Sequence, residues 1–265
     1  MRLKNKKNSS DSWNEIWGSY DRKSFEYQIA VEEHSVRWQR IQQIILNKYG
    51  SFSGIECIEI GGGSGHYSML FAKRGARVTI LDYSENALEF CRRIFKEQRI
   101  PPTQVKCLLM NALKIDEHCF GKYDVSMSFG VAEHFQGQNR KLIVKNHIMV
   151  LKKGGVAFIS APHKGCIPFT VYQFLMKFVG KRNIVEAYPF TRSEFLNIIR
   201  ELNIKEYSFI GSSIYETYNP ISFYQRKKGL VRDISCLRKE KGSILDQYMS
   251  RELTLVGING ERLDQ

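Results

Sequence analysis

No two cysteines in this chain form a C-x-x-C pair; the six stand apart at 57, 91, 107, 119, 166 and 236. That argues against a zinc ribbon or a thioredoxin-type site. Thiols scattered through apolar segments pack as small hydrophobes. No uncharged apolar run approaches the ~18 residues that a membrane span requires. The basic start, MRLKNKKNSSDSW, has no apolar stretch behind it, so a secretory leader is not expected. A reducing, cytoplasmic setting is the simplest expectation. Internal repeats and low-complexity linkers are also missing. Acids are too few to balance the 40 Lys and Arg, leaving a formal charge of +13. Such a surplus attracts polyanions, anionic lipid or acidic substrates, and is silent about fold.

What is present suffices for a sizeable core. At 265 residues, 43% hydrophobic and 25% charged, the chain has ordinary globular composition and needs no disulfide or metal staple. Trp13, Ile16, Trp17 and Tyr20, then Ile29, Val36, Ile41, Ile44 and Ile45, recur at helical spacing and predict two helices. Short β-prone runs follow at 55–60, 77–81, 105–110, 123–129 and 156–160, with helical stretches at 67–74, 84–97 and 139–151. Thr191-x-x-Glu194 has the capping-box pattern and starts a helix to Leu202. Residues 204–210 and 252–256 supply candidate last strands. Strands alternating with helices predict an α/β fold, a parallel sheet with helices on both faces. Ligands then bind beyond the carboxyl ends of the strands. Glu59, Gly61, Asp82, Asn111, Gly130 and Ala161 all fall at or just past predicted strand ends.

The first strand runs into Glu59-Ile60-Gly61-Gly62-Gly63-Ser64-Gly65-His66. Glycine permits positive φ and close approach of a ligand to backbone N–H groups. The dinucleotide fingerprint needs a third glycine at 66, where His stands, and no Gly-Lys-Ser/Thr follows, so a Walker A loop is absent. The pattern present is E-x-G-x-G-x-G. Asp82 ends the second strand, where a carboxylate can accept both hydroxyls of a ribose. The alternative is a helix N-cap. Asn111 ends the third strand as an adenine contact or as a turn residue. Asp124 reads as structural, bonding backbone at the start of its strand.

Taken in order, E59-I-G-G-G-S-G65, D82-Y-S, N111-A, Y123-D-V-S-M-S-F-G-V-A-E-H-F135 and L151-K-K-G-G-V-A-F-I-S-A-P162 resemble the class I S-adenosylmethionine-dependent methyltransferases of the small-molecule, methyltransferase type 11-like group. The resemblance covers about residues 54–162. It implies a Rossmann-like, seven-stranded, mostly parallel sheet with one antiparallel strand near the C-terminus. It implies S-adenosyl-L-methionine as cofactor and S-adenosyl-L-homocysteine as product. Glu59, Gly61, Gly63 and Gly65 would surround the methionine part. Asp82 would hold the ribose and Tyr83 cover the adenine. Asn111, where the family more often has Asp, and Ala112 would meet the adenine edge. Gly130 and Val131 would line the sulfonium side. The chain then reads as one methyltransferase domain: a helical lid over 1–50, the cofactor-binding core over 51–162, an inserted substrate cap over 163–190, and the rest of the sheet over 191–265.

The acceptor is less legible. His134 follows the fourth strand and is the candidate general base, the alternative being a histidine that bonds backbone and shapes the pocket. Tyr20, Glu133, His163, Phe169 and Tyr172 are candidate substrate contacts. No His/Cys/Asp/Glu cluster has convincing metal spacing, although some quinone-type relatives use acids and a His near this position for a metal. The insertion PFTVYQFLMKFV (168–179) is apolar almost all round, bracketed by Lys164, Lys177, Lys181 and Arg182. It can be a buried helix, a wall for an apolar acceptor, or a peripheral anchor on anionic lipid. Basic runs Arg226-Lys227-Lys228 and Arg238-Lys239-Glu240-Lys241 admit nucleic acid. The leading expectation is methyl transfer to a small apolar or anionic acceptor. Its rivals are an RNA or protein methyltransferase using the basic face, and a non-catalytic cofactor-binding protein. The sequence leaves the oligomeric state open.

Overall fold

The computed structural model describes residues 9–171, 186–218 and 241–260. Three helices precede the sheet: α1 (Ser10–Gly18), α2 (Arg22–His34) and α3 (Val36–Tyr49). Periodicity predicted two. The difference lies in the caps. Ser9, Asp21 and Ser35 each turn an extended residue into a helix start, their side chains accepting from the N–H groups of Ser12, Ser24 and Trp38. Ser35 holds ψ 147°, which breaks an otherwise continuous apolar stripe.

The sheet strands are β1 (Glu56–Ile60), β2 (Arg77–Asp82), β3 (Val105–Leu109), β4 (Tyr123–Phe129), β5 (Leu151–Pro162), β6 (Glu206–Gly211) and β7 (Glu252–Ile258). Their order is β3-β2-β1-β4-β5-β7-β6, and β7 is antiparallel to both neighbours. The expected mostly parallel, seven-stranded fold with one reversed strand near the C-terminus is therefore the observed one. Between the strands lie α4 (His66–Ala72), α5 (Glu85–Glu97), α6 (Gly137–Met149) and α7 (Arg192–Glu201). The short turn α8 (Ile214–Thr217) follows β6, and α9 (Asp246–Met249) precedes β7. The helix predicted over 139–151 ends at Met149, and Leu151 already pairs with Tyr123 in the sheet. Thr191 caps α7 as expected, but Glu194 turns away from the cap to pair with Arg140 at 2.5 Å.

Apolar side chains alternate between the two faces. One face buries Trp38, Tyr67, Phe71, Phe95 and Phe158 under α2–α5, the other buries Ile143, Phe190, Phe195 and Leu255 under α6 and α7. Asp124 accepts from the Glu56 N–H at 2.9 Å and from Lys152, the structural role its place at a strand start implied. The insertion from residue 172 onward, including Tyr172, Lys177, Lys181 and Arg182, lies outside the described residues, as do the run 226–228 and most of 238–241.

Candidate active site

The parallel strands end on one rim, and the loops leaving it enclose a cavity of about 190 Å³. β1 contributes Glu59 and the loop Gly61–Ser64. β2 contributes Leu81, Asp82 and Tyr83, and β3 contributes Met110 to Leu113. β4 contributes Phe129, Gly130, Val131, His134 and Phe135. Trp13 and Trp17 of α1 close the top.

The loop adopts a shape that side chains would obstruct. Gly61, Gly63 and Gly65 hold φ of +67°, +53° and +69°. A Cβ on Gly61 would lie 2.7 Å from Val131 Cγ2, and one on Gly63 would run into the Trp17 ring. Asp82 is 5% exposed and serves this loop directly. Its Oδ2 accepts from the Gly63 N–H at 2.8 Å and its Oδ1 from the Ser84 N–H at 2.9 Å. The Tyr83 backbone also donates to this carboxylate; of its about four acceptor sites, roughly one remains for a ligand. Burial raises the Asp82 pKa despite those donors. Glu59 behaves likewise. Burial pushes it up to about 7, while Ser68 donates to its Oε2 through both backbone N–H and hydroxyl.

Asn111 forms a turn, its Oδ1 accepting from the Leu113 N–H at 2.8 Å. Asn111, Ala112 and Tyr83 all line the cavity. His134 Nδ1 lies 2.7 Å from the Glu186 carbonyl, and the Gly130 carbonyl also faces the ring. Trp13 meets it edge-on at 5.0 Å. Desolvation lowers its pKa, so the ring is neutral at neutral pH. A neutral imidazole has one N–H for two carbonyls. The ring contacts backbone carbonyls in this structure.

Among the described residues, the candidate substrate contacts do not line the cavity. Tyr20 sits behind Trp17, edge-on to it and to Phe90, and hydrogen-bonds Gln28. Glu133 is buried behind Gly130, and its Oε2 has no hydrogen-bond partner among the described residues. His163 is buried beyond the end of β5, facing the Ser250 carbonyl. Phe169 lies under Arg251. Tyr172 is outside the described residues. Sequence reasoning passed over Phe129, Phe135 and His66, all of which line the cavity. Their position next to the glycine loop and the fourth strand end was the available signal. Among the described residues no three His, Cys, Asp or Glu side chains gather to hold a metal ion, and no helix is long and apolar enough to cross a membrane.

Residues 57–155 match the family described as "Methyltransferase domain". The chain is 25% identical over 202 residues to a ubiquinone biosynthesis O-methyltransferase of Coxiella burnetii, covering 76% of this chain and 80% of that one. A protein of the same description from Marinobacter nauticus is 25% identical over 177 residues, 65% and 71% of the two chains. The fold is similar to that of a magnesium protoporphyrin IX methyltransferase from Synechocystis. The TM-score there is 0.58 at 16% identity, over 94% of this chain and 92% of that one.

Proposed function

We propose that residues 57–155, which match the family described as "Methyltransferase domain", form a class I, S-adenosylmethionine-dependent methyltransferase core, and that this chain methylates a hydroxyl of a small, largely apolar molecule. The observation that carries the reading is the cavity itself, half polar cradle and half aromatic wall. Its cradle fits the cofactor. Three positive-φ glycines leave backbone open where a Cβ would block it, and Asp82 keeps acceptor capacity at the neighbouring strand end. Glu59, Gly61, Gly63 and Gly65 would hold the methionine part, and Asp82 and Tyr83 the ribose and adenine. Asn111 and Ala112 would meet the adenine edge, and Gly130 and Val131 the reacting side.

When bound, S-adenosylmethionine supplies a methyl group already activated on a sulfonium. The chain therefore has to supply proximity, orientation and exclusion of water. Phe129, Val131 and Phe135 at the end of β4, with Trp13 of α1, give the cavity an apolar wall. Hydroxylated acceptors lose a proton on methylation, and His134 is the nearest titratable ring on that wall. It would take that proton only by exchanging one of its carbonyl contacts. The relatives described as O-methyltransferases of ubiquinone biosynthesis support an oxygen acceptor on an apolar body.

The test begins with calorimetric titration by S-adenosylmethionine and S-adenosylhomocysteine, Asp82→Ala alongside. Labelled methyl donor is then offered with a panel of hydroxylated apolar aromatics. Micromolar binding lost in the variant, with label transferred to the phenolic oxygen, is the expected result. A folded protein that binds neither compound would overturn the reading.

A further inference from the structure

Among the described residues that line the cavity, the acids are Glu59 and Asp82, and no Lys or Arg joins them. S-adenosylmethionine ends in an amino acid, so its carboxylate must find donors in a cavity without a fixed cation. The glycine loop has few to give. The Gly61 and Gly62 N–H groups donate to the Leu81 carbonyl, that of Gly63 to Asp82, and that of Gly65 to the Gly62 carbonyl. Resting on the cofactor reading above, we propose that the His66 imidazole binds this carboxylate and takes up a proton as it does so.

Position and bonding both point to this ring. His66 opens α4 directly after the loop and lines the cavity. In the strand order β3-β2-β1-β4, the adenine positions Tyr83, Asn111 and Ala112 follow β2 and β3. His66 follows β1, and its neighbour Tyr67 stacks at 3.5 Å on Phe129 at the end of β4. The ring therefore stands on the methionine side of Asp82, away from the adenine positions. Ser64 Oγ lies 2.9 Å from Nδ1 and is buried, which fixes the ring. Among the described residues Nε2 has no hydrogen-bond partner, so one nitrogen is left for a ligand. The surroundings hold that ring neutral until an anion arrives. Burial lowers its pKa to about 4, while the Glu32 carboxylate of α2 pulls it up and the Arg37 guanidinium of α3 pulls it down. Tyr67 and Tyr20, the second reaching Ser64, are kept protonated by burial. Arg37 does not serve the ligand itself, because Tyr67, Ser160, Glu32 and Glu252 take its donors. A bound carboxylate puts a second anion beside the ring and favours imidazolium. The bond formed is then charge-assisted.

Calorimetric titration between about pH 7 and pH 5 tests this without methyl transfer, using S-adenosylmethionine and its decarboxylated analogue. Both ligands carry the sulfonium and the amine, so titration of Glu59 near 7 acts on both. The ratio of their affinities isolates the carboxylate. A ring whose pKa rises on binding strengthens that binding as pH falls toward its free value of about 4. In the parent protein the ratio should therefore rise about tenfold over this range. His66→Phe should hold the ratio flat, lowering S-adenosylmethionine affinity about tenfold at the acid end and leaving the analogue within about twofold. His66→Gln keeps a donor that does not titrate, so it should recover part of the affinity and none of the pH dependence. Circular dichroism at both ends of the range checks that each variant is folded. A ratio independent of pH in the parent, or unchanged in His66→Phe, overturns the proposal and leaves the cofactor reading standing. Binding of neither ligand by the folded protein overturns both.

Discussion

At the scale of single residues, Asp82 and Gly63 act as one unit. The carboxylate is nearly buried and fastens the loop through the Gly63 N–H, so it shapes the cradle before any ligand arrives. Asp82→Ala leaves the buried Gly63 and Ser84 N–H groups unpaired, at about 1–3 kcal/mol each. Both the denaturation midpoint and cofactor affinity should therefore fall, affinity by about 1–3 kcal/mol in calorimetry. A loss of affinity with unchanged stability would mean the loop does not depend on this acid. Gly63→Ala should be harmful for a separate reason. A non-glycine residue at φ +53° costs about 1–2 kcal/mol, and its Cβ would strike Trp17. The spacing of glycines and acid was readable because backbone chemistry forces those residue types. That Asp82 spends three acceptor sites on backbone was not readable, since nothing in a sequence tells a cap from a ligand. His134→Ala should leave cofactor affinity within about twofold, because its ring faces the Glu186 and Gly130 carbonyls on the β4 side. A large loss of affinity in titration would place the ring in the cofactor site.

At the scale of elements, the open question in the sequence was how the N-terminal helices sit on the sheet. Arg37 of α3 answers it. Its guanidinium donates to Tyr67 at 2.6 Å, Ser160 at 3.0 Å, Glu32 at 2.8 Å and Glu252, joining α2, α4, β5 and β7. Burial would lower its pKa, but the Glu32 carboxylate beside it holds it raised. Arg37→Met removes the one cation from this group and leaves two partly buried carboxylates facing a phenol. Loss of one partner from a buried pair costs about 3–5 kcal/mol, readable as a fall in the urea midpoint, and Glu32→Gln in the same background should recover part of it. If Arg37→Met is as stable as the parent protein, the helices are held by packing alone. Periodicity could not anticipate this, because residues 37 and 252 are far apart in the chain. The resemblance implied a lid over 1–50, but not its seating: Ser84 Oγ donates to Asn14 Oδ1 and the Asn86 amide to the Asn14 carbonyl, and Trp13 and Trp17 line the cavity.

At the scale of the whole molecule, buried ionisable groups tie stability to pH in two opposing directions. Strand order and the rim of polar residues were legible because alternation of strands and helices leaves few topologies. Buried charge balance was not, because burial depends on every element at once. Glu59 and Glu133 are raised to about 7 by desolvation. Each binds a proton in the folded state that the unfolded chain has released above its ordinary pKa near 4.5. Their stabilisation is complete below that value and is lost as pH rises through about 7. His147 runs the other way. It is fully buried on α6, both ring nitrogens lack a hydrogen-bond partner among the described residues, and burial lowers its pKa to about 3. Below about pH 6.5 the unfolded chain takes up a proton that the folded state refuses, so its share of stability is lost on acidification. Replacing His147 with Phe removes this last slope and leaves the carboxyl slopes in place. The stability difference between variant and parent should then be constant above about pH 7 and grow in the variant's favour by about 1.4 kcal/mol per pH unit between roughly 6 and 4. Urea denaturation of both proteins across that range, without cofactor, measures it directly. A difference independent of pH would mean that the folded protein lets this ring protonate, and that α6 opens enough to admit water.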